Sequence, residues 1–138
     1  MRELIGSHYI DNEVVTWDKG EVQFAAIVLT CLAGAKWTAD SGTTYRVMGS
    51  TWLTWGEMSS AWIIDVNVAV HREGPNGPAF AADLVRSELT RVEGTFGKAV
   101  SEAKRLFAER LVWADGELEA VATKCEAERI AAQAPVLA

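Results

Sequence analysis

The stretch Trp62-Ile63-Ile64-Asp65-Val66-Asn67-Val68-Ala69-Val70-His71 decides how this chain is read. Trp62, Ile64, Val66, Val68 and Val70 alternate with Ile63, Asp65, Asn67, Ala69 and His71. A period of two, with β-branched residues on one side, is the pattern of a strand with one buried face. Tyr45 to Trp55, just before it, is rich in Tyr, Val, Thr and Trp. Between the two lies Gly56-Glu57-Met58-Ser59-Ser60-Ala61, which carries turn residues. Folding both stretches as one antiparallel hairpin over about 45–72 sets Trp55 opposite Trp62. Leu53 then meets Ile64, Thr51 meets Val66, Gly49 meets Val68 and Val47 meets Val70. That face is apolar apart from Thr51 and Gly49. The other face pairs Thr54 with Ile63, Trp52 with Asp65, Ser50 with Asn67, Met48 with Ala69, and Arg46 with His71. A slip of one residue would mix the faces, so the pattern itself selects the register.

Upstream, Glu13 to Trp17 reads as a short strand. Asp18 followed by Glu21 resembles a capping box. It opens an expected helix that runs to about Ala33, with Gly34 as its stop. That segment is apolar almost all round, and a buried strand over Val22–Leu29 is the competing reading. Downstream, Glu73-Gly74-Pro75-Asn76-Gly77-Pro78 excludes strand and helix interiors alike. From there to about Gln133, apolar residues recur every three or four positions, from Val85, Leu89 and Val92 through Phe107 and Leu111 to Val121 and Cys125. Asp83 with Arg86, Glu88 with Arg91, Glu102 with Arg105 and Glu126 with Arg129 place acid three residues before base, as on a helix surface. Gly94, Gly97 and Gly116 then divide the segment into helices of about 78–93, 97–114 and 116–133, with one long helix running through them as the competing reading. The fold class expected is α+β in a single domain over 1–138. A small antiparallel sheet holds the hairpin and is packed by the N-terminal helix and the C-terminal helices.

The chain has 138 residues, of which 49% are hydrophobic and 23% charged, a globular balance. The N-terminus has no apolar core suited to a signal peptide, and the C-terminus matches no lipidation signal. The longest apolar run, Phe24 to Ala35, is too short to span a bilayer. No membrane association is expected, and the cytoplasm is the expected location. Cys31 and Cys125 lie in apolar or helical patterns and read as reduced, partly buried thiols.

The net charge of −6 lacks the basic stripe that autonomous nucleic-acid binding needs. Acid is densest at Asp11, Glu13, Asp18 and Glu21, and again at Asp115, Glu117 and Glu119. Such surfaces suit a protein partner with a basic surface, although a solubilising role is the simpler reading.

Chemistry is mostly missing. His8 and His71 belong to no metal-ligand spacing, and no metal or cofactor is expected. Gly74 to Gly77 lacks the context of a phosphate loop. Gly-x-Ser-x-Gly is absent. Asp65 and His71 are six residues apart on one strand, roughly 20 Å along its axis, too far to act as base and orienter. Of the six tryptophans, Trp55 and Trp62 read as a cross-strand pair and Trp113 as core or cap packing. Trp17, Trp37 and Trp52 are less easily buried, and surface aromatics anchor interfaces. The residues expected to bind a partner are Trp52, Arg46, Asp65, Asn67 and His71 on the hairpin, with the two acidic groups.

The reading is therefore a non-enzymatic interaction protein. One form is an inhibitor of a nucleic-acid-handling protein, of the kind that phages and mobile elements make, by analogy of size and charge alone. A virion or homo-oligomeric assembly component is an alternative. A small ligand-binding domain or enzyme using the polar hairpin face is another.

Overall fold

The structure is a computed structural model that describes residues 2–5, 8–19, 22–56 and 60–133, with side chains described except at 2–3, 12–19 and 22–28. Its elements run β1 (Arg2–Ile5), β2 (His8–Lys19), β3 (Val22–Cys31), β4 (Lys36–Thr38), β5 (Thr44–Gly56), β6 (Ala61–Arg72), β7 (Ala79–Val92) and α1 (Phe96–Gln133). Among the described residues the strands form one seven-stranded antiparallel sheet, ordered β1-β2-β3-β5-β6-β7, with β4 pairing the far end of β5. The helix α1 lies across one face, against β4, β5, β6 and β7. We call this the inner face.

The β5–β6 hairpin has the register that alternation selects. Trp55 pairs with Trp62, Leu53 with Ile64, Thr51 with Val66, Gly49 with Val68 and Val47 with Val70, without interruption. Val47, Leu53, Ile64, Val66, Val68 and Val70 are buried under α1. Gly49 is needed there. A Cβ at this position would lie 2.9 Å from the Asn67 carbonyl oxygen and 3.0 Å from the Phe107 ring, so only glycine lets the helix settle this closely.

The helices around the hairpin are not as expected. The segment read as an N-terminal helix is β3, bonded to β2 on one side and β5 on the other. Val22-Gln23-Phe24-Ala25-Ala26-Ile27-Val28-Leu29 is apolar at both odd and even positions, so its sequence lacks the alternation that separates strand from helix. Asp18, read as a helix cap, sits in β2 opposite Gln23, and its proposed partner Glu21 lies outside the described residues.

The expected helix over 78–93 is the edge strand β7. Three register shifts against β6 insert extra residues, so Ala82, Val85, Glu88, Thr90 and Val92 pair with Val70, Val68, Val66, Ile64 and Trp62. Val85, Leu89 and Val92 fall at helical spacing, yet Val85 and Val92 are buried on the inner face while Leu89, opposite Asp65, is exposed on the outer one. The bulges produce the misleading period. The acid–base pairs expected there were read for a helix surface, which this strand does not have. Glu88 bonds Arg110 of α1 at 2.9 Å instead, and Arg91 bonds Glu93 at 3.1 Å.

The last two expected helices are one helix of 38 residues. Gly94, with φ of 108°, marks a true break before it. Thr95 caps it, its hydroxyl accepting from the Lys98 N–H at 3.2 Å. Gly97 and Gly116 sit inside the helix, with nothing within 4 Å of the Cβ that each lacks. Gly116, in the interior, costs about 1 kcal/mol, and Gly97, in the first turn, less. Burying Phe107, Leu111 and Leu118 contributes roughly 1.5–3 kcal/mol apiece and outweighs that. Ala99, Ala103, Ala114 and Ala122 complete a seam whose small side chains bring the helix close to the sheet.

Candidate functional site

Among the described residues no strand or helix covers the outer face of the sheet. The polar hairpin face lies there, and two features stand on it.

The first is a row across three strands. Trp52 pairs with Asp65, and Asp65 with Leu89. Trp52 is 43% exposed and Leu89 is 64% exposed, and the half-buried Ile63 is two residue pairs further along. Asp65 between them is held rigidly, because Asn67 donates from Nδ2 to its Oδ1 at 3.0 Å. Asn67 in turn accepts the Ser87 N–H at 2.8 Å. Ser87 has φ of 48° at the β6–β7 bulge, a conformation that needs such a bond to hold it. Asn67 and Asp65 thus clamp the bulge and set the spacing of Trp52 and Leu89.

The second feature is a hollow of about 520 Å³ lined by Leu32, Ala33, Arg46, Met48, His71, Glu73, Gly74, Gly77 and Pro78. A shallower hollow of about 300 Å³ shares Leu32, Met48 and His71 and continues toward Ser50, Asn67 and Asp83. Arg46 donates from Nε to Oε1 of Glu73 at 3.0 Å and from Nη1 to the Gly34 carbonyl at 3.3 Å. Lys36 reaches the same Glu73 oxygen at 3.7 Å. His71 meets Phe80 edge-on, with ring centroids 6.0 Å apart. Its Nδ1 is buried with no hydrogen-bond partner. Burial lowers its pKa from the ordinary histidine value, which favours the neutral ring.

The remaining expected site residues do not join this face. Asp115 turns to the N-terminal strands, where the buried His8 bonds its Oδ2 at 2.8 Å, while its Oδ1 is buried without a partner. Glu117 is half-buried and Glu119 exposed on α1. Asp11 is half-buried in β2, with its backbone paired to Arg2 and Thr30. Glu13 and Asp18 lie in β2, with their side chains outside the described set, and Glu21 is outside the described residues altogether. The acidic groups are therefore not gathered into one described surface.

Of the aromatics, Trp55 and Trp62 do pair, T-shaped at 5.2 Å, and Trp62 packs on Phe96 at 5.0 Å. Trp37 is half-buried against Tyr45 at 6.1 Å. Trp113, expected in the core or at a cap, is 47% exposed on the helix flank beside Leu84 and Arg110. Cys31 and Cys125 are free thiols whose pKa values burial raises.

Sequence reasoning missed Leu89, because the bulges assigned it to a helical stripe. It also missed Leu32, Glu73 and Pro78, which only tertiary folding brings to Met48 and His71. Among the described residues no group of three or more His, Cys, Asp or Glu is arranged to hold a metal ion. No helix among them is long and apolar enough to cross a membrane. Comparison with protein-family models, with curated proteins and with solved structures finds no match.

Proposed function

We propose that this chain is a non-enzymatic interaction protein that binds a protein partner through the uncovered face of its sheet. The observation that supports this is the exposed Trp52 and Leu89, aligned across a clamped Asp65. Large apolar side chains on rigid strands, rimmed by polar groups, match the anatomy of an interface centre. The contact rests on apolar area. Mimicry of a phosphate backbone is not needed, since Asp115 is already engaged by His8. Catalysis has less support, because Asp65 is tied to Asn67 and His71 Nδ1 has no partner to orient it.

The test is capture of partners from a lysate of the source cells by the tagged chain and by its Trp52→Ala, Leu89→Ser and Glu119→Lys variants. A stoichiometric partner retained by Glu119→Lys and lost by the other two supports the reading. Equal capture by all four proteins, each folded by circular dichroism, overturns it. Light scattering on the purified chain identifies the case in which the partner is a second copy.

A further inference from the structure

We infer that the hollow beside His71 binds a small, neutral, planar heterocycle that carries an adjoining hydrogen-bond acceptor and donor, as a lactam edge does. The inference is independent of the protein partner and uses a different part of the outer face.

Size and lining come first. A volume of about 520 Å³ lies within the range of small-molecule sites. Leu32, Met48 and Pro78 supply apolar walls, and Gly74 and Gly77 leave room by having no side chain. Leu32 stands 58% exposed at the rim, an apolar residue left in water unless something covers it. The His71 ring, its neutral form favoured by burial, completes the apolar surface, fixed in place by Phe80.

The polar wall sets the chemistry. The bonds from Arg46 Nε and Lys36 Nζ both fall on Oε1 of Glu73. Neither they nor the Arg46 bond to Gly34 uses Glu73 Oε2 or Arg46 Nη2. Arg46 and Glu73 both line the hollow and are joined by the Nε–Oε1 bond, so a cationic donor and a carboxylate acceptor stand side by side. A lactam carbonyl accepts from the first while its N–H donates to the second, and both bonds are charge-assisted. Of these groups Arg46 and Glu73 line the hollow, as an ion pair, so a neutral ligand with one acceptor and one donor matches both, whereas a singly charged one matches only one of them.

The probes are 2-quinolone, quinoline and quinoline-2-carboxylate, titrated into the full chain while the Met48 methyl and His71 ring signals are followed by NMR, with Met48→Leu used for assignment. Saturable shifts at both residues are expected, with 2-quinolone binding about tenfold more tightly than either relative. Glu73→Leu should remove that advantage, so that 2-quinolone binds no more tightly than quinoline. Leu32→Glu, a rim change that leaves the fold intact, should weaken 2-quinolone and quinoline alike. No saturable shift, tightest binding by the carboxylate, or shifts confined to Trp52 and Leu89 would each overturn the assignment.

Discussion

The Tyr45 hydroxyl donates a 2.5 Å hydrogen bond to Oε2 of Glu126, 81 positions later in the chain. It fastens the last turns of α1 to the start of β5. Glu126 also accepts from Arg129 and, at 2.9 Å, from the Ser41 hydroxyl. Arg129 first, and Tyr45 next, hold its carboxyl at about 2, below the ordinary 4.5. The depressed value fixes the sign. The carboxylate form contributes stability above about pH 4.5, and that contribution is lost as pH falls toward about 2. Melting temperature should therefore drop across this window. Glu126→Gln should lower the melting temperature at neutral pH and flatten the acid limb, and Tyr45→Phe should do so in part. An acid limb unchanged in Glu126→Gln would refute the assignment.

Gly49→Ala should destabilise the domain by about 1–3 kcal/mol, because the new methyl meets the Asn67 carbonyl and the Phe107 ring. The two contacts can be told apart by urea melts of the double variant. On a Phe107→Leu background the added cost of Gly49→Ala should shrink, since one of the clashing groups is gone. Strict additivity would mean that the backbone contact alone sets the need for glycine.

The two faces of β6 give a ranking. Val68→Asp should unfold the domain or destabilise it severely, because it buries an unpaired charge under α1. Asn67→Asp looks harmless from alternation alone. The structure says otherwise: it replaces the Nδ2 donor with an acceptor beside the Asp65 carboxylate. A loss of about 1–2 kcal/mol is expected, with loosening of the bulge at Ser87. Thermal melts of the two variants check the order. Asn67→Asp ranking below Val68→Asp in stability would reverse the face assignment.

These cases show what the sequence could reveal. From Trp62 to His71 one face is buried and the other is not, so alternation is visible and fixes the β5–β6 register pair by pair. In β3 the sequence is apolar at both odd and even positions, and Val22–Leu29 fits a helix as well as a strand. In β7 each bulge shifts the phase, and a regular-period reading converts Val85, Leu89 and Val92 into helix. The outer-face position of Trp52, Arg46 and His71 was legible because it follows from the hairpin. Leu89 and Glu73 were not, since their places depend on bulges and loop packing. Glu126 carried only a local signal, its spacing from Arg129. Nothing in the chain announces that Tyr45 and Ser41 converge on it.

Trp52 and His71 separate the two broad functional classes. If the outer face binds a protein, Trp52 is the large exposed anchor, and Trp52→Ala should weaken the complex by about 2 kcal/mol or more, roughly thirtyfold. His71→Ala should have a much smaller effect on that complex, since its ring lines the hollow and lies six residue pairs away along the β5–β6 ladder. An enzyme acting through this face would show the opposite order, with His71 governing turnover and Trp52 governing substrate affinity. Calorimetric titration of the captured partner with both variants measures the first order. Turnover of any substrate that is lost in folded His71→Ala and retained in Trp52→Ala would establish the second and displace the non-enzymatic reading.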